Sequence, residues 1–153
     1  MERRDEEFMS LALEEARRAF DEGEVPVGAV VVKEGKVIAT GHNSRENEND
    51  ISGHAEINAI KAAEKVLGRW TLEGCALYVT LEPCPMCAGA IKQCRLSSLV
   101  FGAKDEAEGA VMSRYHLFDA DNGAQSITFG VLEKECSDLL KTFFAKKRKE
   151  AKS

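Results

Sequence analysis

No segment of this 153-residue sequence stays apolar for the length a bilayer requires, so a membrane partner is not expected. A leader is missing too: Met1 to Glu7 is charged and acidic, unlike the apolar run of a secretory signal, and a cytoplasmic location is the expectation. Internal repeats, linkers and low-complexity stretches are absent. With 44% hydrophobic residues, positions 1–153 are expected to build a single globular domain with a proper core. Cysteines are few and odd in number, five in all, which disfavours a disulfide framework and favours free thiols or metal ligands. Positive charge is not in surplus either. A net charge of −5 argues against a generic, all-over-basic nucleic-acid binder.

What is present alternates between helical and strand-like segments. From Asp5 to Glu22, Phe8, Leu11, Ala12, Ala16, Ala19 and Phe20 recur at helical spacing, and Gly23 is placed to end the helix. Val27 to Val32 reads as a strand covered on both faces, paired through a glycine-containing turn with Val37 to Thr40. A polar loop, Ser44 to Ile51, leads to a helix starting at Ser52 or Gly53 and ending at Gly68. Ala76 to Thr80 is a short strand, broken by Leu81-Glu82-Pro83. Cys84 to Cys94 then reads as a tightly packed helix with Pro85 in its first turn. Leu99 to Gly102 is a strand, Glu108 to Phe118 a helix and Asp119 to Gly123 a turn. Ile127 to Leu132 is a strand, and Glu133 to Lys149 a final helix with Leu139, Leu140, Phe143 and Phe144 as its apolar face. Cys75, Cys94 and Cys136 have no partner spacing and read as small buried apolar residues. His116 reads as a surface or pocket-edge residue.

The chemistry concentrates in two short motifs. Cys84 and Cys87, within Pro83-Cys84-Pro85-Met86-Cys87, can aim both sulfurs at one metal. His54 can supply a third ligand, which leaves the fourth position of a tetrahedral Zn²⁺ open for water. A closed structural zinc would show a second C-x-x-C or paired histidines, and neither is present. A redox C-x-x-C would have no need of His54-Ala55-Glu56. Glu56 is then free to move protons. His54 and Glu56 fall in the first turn of a helix, where both can project past its end and where the helix dipole favours an ionised carboxylate. The cysteines lie at another helix N-terminus, which lowers thiol pKa.

H-x-E followed by P-C-x-x-C is the established signature of zinc-dependent nucleobase deaminases. Zinc lowers the pKa of bound water from about 15.7 toward about 7. Glu56 would take the water's proton, deliver it to the ring nitrogen and later help protonate departing ammonia. Backbone amides near Ala55 and Cys84 are candidates to orient the base. Asn43 reads either as a turn residue or as a substrate amide at a pocket rim, and Glu82 as a helix-start or supporting carboxylate.

Longer runs carry a resemblance. Glu24 to Val30, Gly41-His42-Asn43, His54-Ala55-Glu56, Tyr78 to Ala90 and Val100 to Asp105, with Gly130 to Cys136, resemble the bacterial tRNA-specific adenosine deaminases of the cytidine deaminase-like superfamily. The resemblance implies an α/β fold, a three-layer α/β/α sandwich with a central mixed sheet of about five strands, and a homodimer with composite active sites. It implies Zn²⁺ on His54, Cys84 and Cys87, with Glu56 as proton shuttle. It further implies Asn43 on the nucleotide, Val27 and Leu81 lining the pocket with Ala55 and Pro83 among the substrate contacts, and Asp105 near the substrate backbone. The implied reaction is adenosine to inosine at the wobble position of a tRNA anticodon stem-loop. One segment departs from the family pattern: residues 109–129 lack its usual Gly-Ser-Leu stretch and Asn-His pair, in a region that shapes the pocket. The alternative is therefore a deaminase of a free base, nucleoside or nucleotide of guanine, adenine or cytosine type. A catalytically silent zinc module is a third reading, and the retained Glu56 speaks against it. The basic tail, Lys141, Lys146, Lys147, Arg148, Lys149 and Lys152, suits RNA, or else is a solubilising helix end.

Overall fold

A period-two alternation along the central strands sorts the core into two halves, in a computed structural model that describes residues 2–121 and 123–152. The elements in order are α1 (Glu2–Asp21), β1 (Gly28–Lys33), β2 (Lys36–His42), α2 (Ala55–Leu67), β3 (Cys75–Leu81), α3 (Pro85–Gln93) and β4 (Ser98–Ala103). A 3₁₀ turn (Asp119–Asp121), β5 (Ser126–Phe129) and α4 (Glu133–Lys152) complete the chain. The sheet order is β2-β1-β3-β4-β5. β1 runs antiparallel to β2 and β3, whereas β3, β4 and β5 are mutually parallel. Ala29, Val31, Leu77, Val79, Leu99 and Phe101 face α2 and α3. Val30, Val32, Tyr78 and Val100, the intervening residues, face α1 and α4. This is the expected mixed five-stranded sheet between two helical layers.

Two glycines set how closely the helices lie on the sheet. A Cβ on Gly28 would sit 2.0 Å from the Ala12 carbonyl oxygen of α1. A Cβ on Gly41 would sit 2.6 Å from both the Ala55 oxygen and the Ala59 nitrogen of α2. Backbone against backbone at that range leaves room for no side chain, so Gly41 seats the first turn of α2 on β2.

The structure corrects three sequence readings. Residues 108–118 form successive turns and no α-helix. The central amides are claimed from outside the segment: the Glu82 carboxylate accepts the N–H groups of Val111 (3.1 Å), Met112 (2.8 Å) and Ser113 (3.0 Å) and the Ser113 hydroxyl, together with the N–H of the preceding Asp105 (3.1 Å). The second correction is that α2 starts at Ala55 with His54 as its N-cap, because Ser52 gives its N–H and hydroxyl to Asp50 at 2.9 and 2.8 Å. Third, β5 stops at Phe129, since Gly130 and Leu132 have φ of +90° and +53°, which no strand accommodates. Cys75, Cys94 and Cys136 are buried as free thiols, and His116 is exposed, both as the sequence suggested.

His42, at the end of β2, clamps this strand to α1. Its Nδ1 lies 2.9 Å from Glu15 and its Nε2 3.1 Å from Glu22, while Glu15 also pairs with Arg18 at 3.1 Å. Burial opposes protonation, but the hydrogen bonds and charges of the two carboxylates outweigh it and hold the imidazole above its ordinary 6.5. A folded-state pKa raised in this way contributes stability that is fully present below about pH 6.5 and is lost as pH rises through the raised value. His42→Gln is therefore expected to lower Tm more at about pH 6 than at about pH 8.5. Equal losses at both values would mean that the clamp draws nothing from charge.

Candidate metal and proton-transfer site

Two helix N-termini meet at the carboxyl end of β3. His54 caps α2 with φ −94° and ψ 148°, and Cys84 caps α3 with φ −77° and ψ 173°. Both residues are extended, and neither side chain makes the usual capping hydrogen bond to its helix. Each is thereby turned into the space between the helices. His54 Nδ1 lies 3.7 Å from Cys84 Sγ and 3.4 Å from Cys87 Sγ. All three donor atoms fall within 4.8 Å of one another. Ligands 2.0–2.3 Å from a shared tetrahedral centre would lie about 3.6 Å apart. One imidazole and two sulfurs at this spacing fit a borderline-soft divalent cation with one position to spare.

The protonation pattern agrees with that fit. The Cys84 thiol is pushed down to about 4, first by the hydrogen bond from the Cys87 thiol and also by His54. Cys87 is pushed the other way, because it donates that bond and is buried. The pair thus gives up one proton readily and the second with difficulty, and a bound cation supplies the drive for the second. His54 is raised, chiefly by its hydrogen bond to Cys84. Glu56, in the first turn of α2, is 4% exposed and reaches toward the same space. Burial pushes its carboxyl up to about 7, and the nearby Cys84 charge adds to the shift.

A cleft of about 860 Å³ opens over this cluster, with His54, Glu56 and Cys84 at its floor. Of the six substrate contacts expected from the sequence, Val27, Asn43, Leu81 and Asp105 line it. Ala55 and Pro83 do not. Ala55 is fully buried and its N–H is already donated to Asn43 Oδ1 at 2.8 Å. Pro83 is buried, and its carbonyl accepts from Ala110 at 2.8 Å. Asn43 ties the loop to α2 through its oxygen, and its Nδ2, on the cleft lining, has no partner among the described residues.

Sequence reasoning missed part of the wall. Arg45 comes from the polar loop, which Glu24 pins by accepting the Glu46 and Asn47 amides at 3.1 and 2.6 Å. Phe143, Phe144 and Lys147 of α4 reach the cleft as well, so the C-terminal helix belongs to the site and not to a separate tail. The available signal was the Phe143-Phe144 pair itself. Adjacent helical residues point about 100° apart, so the second of the pair falls at the edge of the core-facing stripe, where it can meet a cleft. Phe143 is 5% exposed and Phe144 44%.

Comparison with known proteins agrees with the geometry. The sequence profile of the cytidine and deoxycytidylate deaminase zinc-binding region matches residues 2–103, a span that holds His54, Glu56, Cys84 and Cys87. Fold, donor set and profile together make the chain a zinc-dependent deaminase of the cytidine deaminase-like class. Within that class it belongs to the tRNA-specific adenosine deaminase family. The tRNA-specific adenosine deaminase of Bacillus subtilis (strain 168) is 46% identical over 151 residues, covering 97% of this chain and 94% of the relative. A solved tRNA:A34 deaminase, studied for A-to-I editing at the wobble position of transfer RNA, superposes with a TM-score of 0.83 at 44% identity. The match covers 87% of this chain and 98% of that one. Guanine deaminase from Nitrosomonas europaea shares the fold at a TM-score of 0.82 and 25% identity, over 92% of this chain and 84% of its own.

Purified protein should carry about one zinc ion per chain. Cys87→Ala is expected to lose both zinc and thermal stability, since binding energy at such a site is also folding energy. Full zinc occupancy in that variant would remove Cys87 from the ligand set.

Proposed function

We propose that this chain, acting as a single domain within a cytoplasmic homodimer, deaminates adenosine to inosine at the wobble position of tRNA. In this reading His54, Cys84 and Cys87 hold the zinc and Glu56 moves the protons. The observation that carries the reading is the reach of the similarity. Identity of 46% to a tRNA-specific enzyme spans 97% of the chain, well past residue 103, where the general zinc-binding region ends. It includes α4, which lends Phe144 and Lys147 to the cleft. The absence of any helix long and apolar enough to cross a membrane, among the described residues, is compatible with that setting.

When bound, zinc supplies a Lewis-acidic position at which water becomes nucleophilic near neutral pH. The rest of the work falls to the chain. A C–O bond forms at C6 of adenine, the exocyclic C–N bond breaks, and ammonia leaves. Glu56, buried at the cleft floor, accepts one proton of the water and gives it to the ring N1, then carries the second, from the oxygen newly bound to C6, to the departing nitrogen, leaving a C6 carbonyl and ammonia. Val27 and Leu81 offer apolar contact to the base, and the unpartnered Asn43 Nδ2 a hydrogen bond to the nucleotide. Phe144 is exposed enough to stack a neighbouring unpaired base, with Arg45 and Lys147 available to phosphates at the mouth. Asp105, also on the cleft wall, meets the substrate backbone by accepting from a ribose hydroxyl. An anticodon loop suits such a cleft because its bases are already unpaired.

Glu56→Gln is expected to keep its zinc while turnover falls by roughly 10²- to 10⁴-fold. Loss of metal would make Glu56 a ligand, and near-normal turnover would pass the proton role to another group. A second measurement addresses the substrate. Ammonia release should be fast from an isolated anticodon stem-loop and slow from free guanine, adenine, cytosine and their nucleosides. Lys147→Ala combined with Arg148→Ala should weaken stem-loop binding and reduce the slope of log affinity against log salt by about one unit for each phosphate that is no longer neutralised. Rapid release from a free base, with none from the stem-loop, would replace the tRNA reading with a small-substrate one.

A further inference from the structure

Glu82 is a buried carboxylate for which the proton chemistry has no use. It stands at the end of β3, is 2% exposed, and directly precedes the Pro83-Cys84 turn. Its two oxygens divide their donors. Oε1 takes the Asp105 N–H and the Ser113 hydroxyl, and Oε2 the N–H groups of Val111, Met112 and Ser113. Among the described residues, the other hydrogen bond tying 105–113 to this turn runs from Ala110 to the Pro83 carbonyl, at 2.8 Å. The segment has no helix or strand of its own to hold its shape. Contact is also tight: a Cβ on Gly109 would lie 2.4 Å from the Glu82 carboxyl carbon and 2.5 Å from the Asp105 carbonyl. The same segment presents Asp105 and Glu108 to the cleft.

We infer that Glu82 is a positioning residue for substrate selection: its carboxylate holds residues 105–113 as a wall of the cleft, in fixed register with the Cys84 turn. The inference rests on the deaminase reading of this cleft and deepens it. Glu82 borders the cleft, but both its oxygens are occupied by these donors, and no hydrogen bond joins its side chain to His54, Cys84 or Cys87 among the described residues. It sets where Asp105 and Glu108 stand relative to the floor. A carboxylate is required because each oxygen must accept. A glutamine would turn an NH₂ group toward one of the two donor sets and leave that set unmet. Loosening one wall changes how well a large substrate is held, while the floor that performs the chemistry keeps its geometry.

Glu82→Gln in the zinc-loaded, full-length chain tests this. Hydrogen exchange at Val111, Met112 and Ser113 should quicken by roughly tenfold or more, with the amides of α2 and α3 unchanged. Zinc content should stay at the wild-type level. With the stem-loop, KM should rise roughly tenfold while kcat changes far less. Gly109→Ala, which leaves the carboxylate intact and pushes the segment away from it, should give the same split of KM from kcat. That variant decides the question if Glu82→Gln does not fold. Unchanged exchange, loss of zinc, or a fall in kcat with KM preserved would overturn the inference. If the wild-type chain deaminates a free base and not the stem-loop, the proposed substrate fails. The KM comparison is then made on that base, and the exchange result stands or falls independently of it.

Discussion

Everything at this site depends on bringing an imidazole and two thiols, 30 and 33 residues apart in the chain, to within 3.4–3.7 Å. Neither helix does this alone. α3 is placed by the crossover between parallel β3 and β4, which fixes its N-terminus at the carboxyl end of β3. α2 is placed by the bare backbone contact at Gly41, and its first turn is held to the preceding loop by the Asn43 bond to Ala55. Extended dihedrals at His54 and Cys84 then turn the side chains inward. The metal geometry is thus a product of strand order, one glycine and two helix caps.

Three buried carboxylates surround the cleft, and their partners assign them different work. Glu24 and Glu82 are saturated by backbone amides, the first from the 44–54 loop and the second from 105–113. At Glu82 burial acts to raise the pKa, but the amides and the Ser113 hydroxyl prevail and keep it ionised. Glu56 lacks such a set, and there burial prevails. Surrounded by amide donors, the Glu82 carboxylate holds its charge and so holds structure. One left short of them can exchange a proton. Between Glu82 and Glu56, both nearly closed to solvent, it is at Glu82 that amide donors offset burial.

How much of this was legible in the sequence depended on the range of the interactions involved. The clustering of His54, Cys84 and Cys87, with Glu56 beside them, could be read because these residues are compressed into two motifs, each within four residues. The sheet could be read because Val30 and Val31, or Leu77 and Tyr78, alternate between two covered faces, leaving strands that are almost wholly apolar. The 108–118 segment was misread as a helix because its pattern of Ala110, Val111, Leu117 and Phe118 is compatible with one. What prevents a helix is a carboxylate some thirty positions upstream, which local periodicity does not register. The contribution of α4 was obscured in the same way. Phe143 packs edge-on against Phe20 of α1, with ring centroids 5.6 Å apart, and the docking of α4 on α1 and the sheet brings Phe144 and Lys147 round to the cleft.

The anchoring of the 105–113 wall has a consequence for how this protein can change over generations. Glu82 grips main-chain N–H groups, which every residue but proline possesses. Gly109, where no Cβ fits, the Ser113 hydroxyl, the Asp105 carboxylate that accepts the Ala107 and Glu108 N–H groups, and the core residues Ala110 and Val111 fix the shape of the segment, and its remaining side chains, such as Glu106 and Met112, are free of that task. Mutation there can rewrite what the wall displays to a substrate without redrawing its outline. A catalytic floor that tolerates no drift is thus joined to a border that tolerates a good deal, and one acidic side chain forms the seam between them.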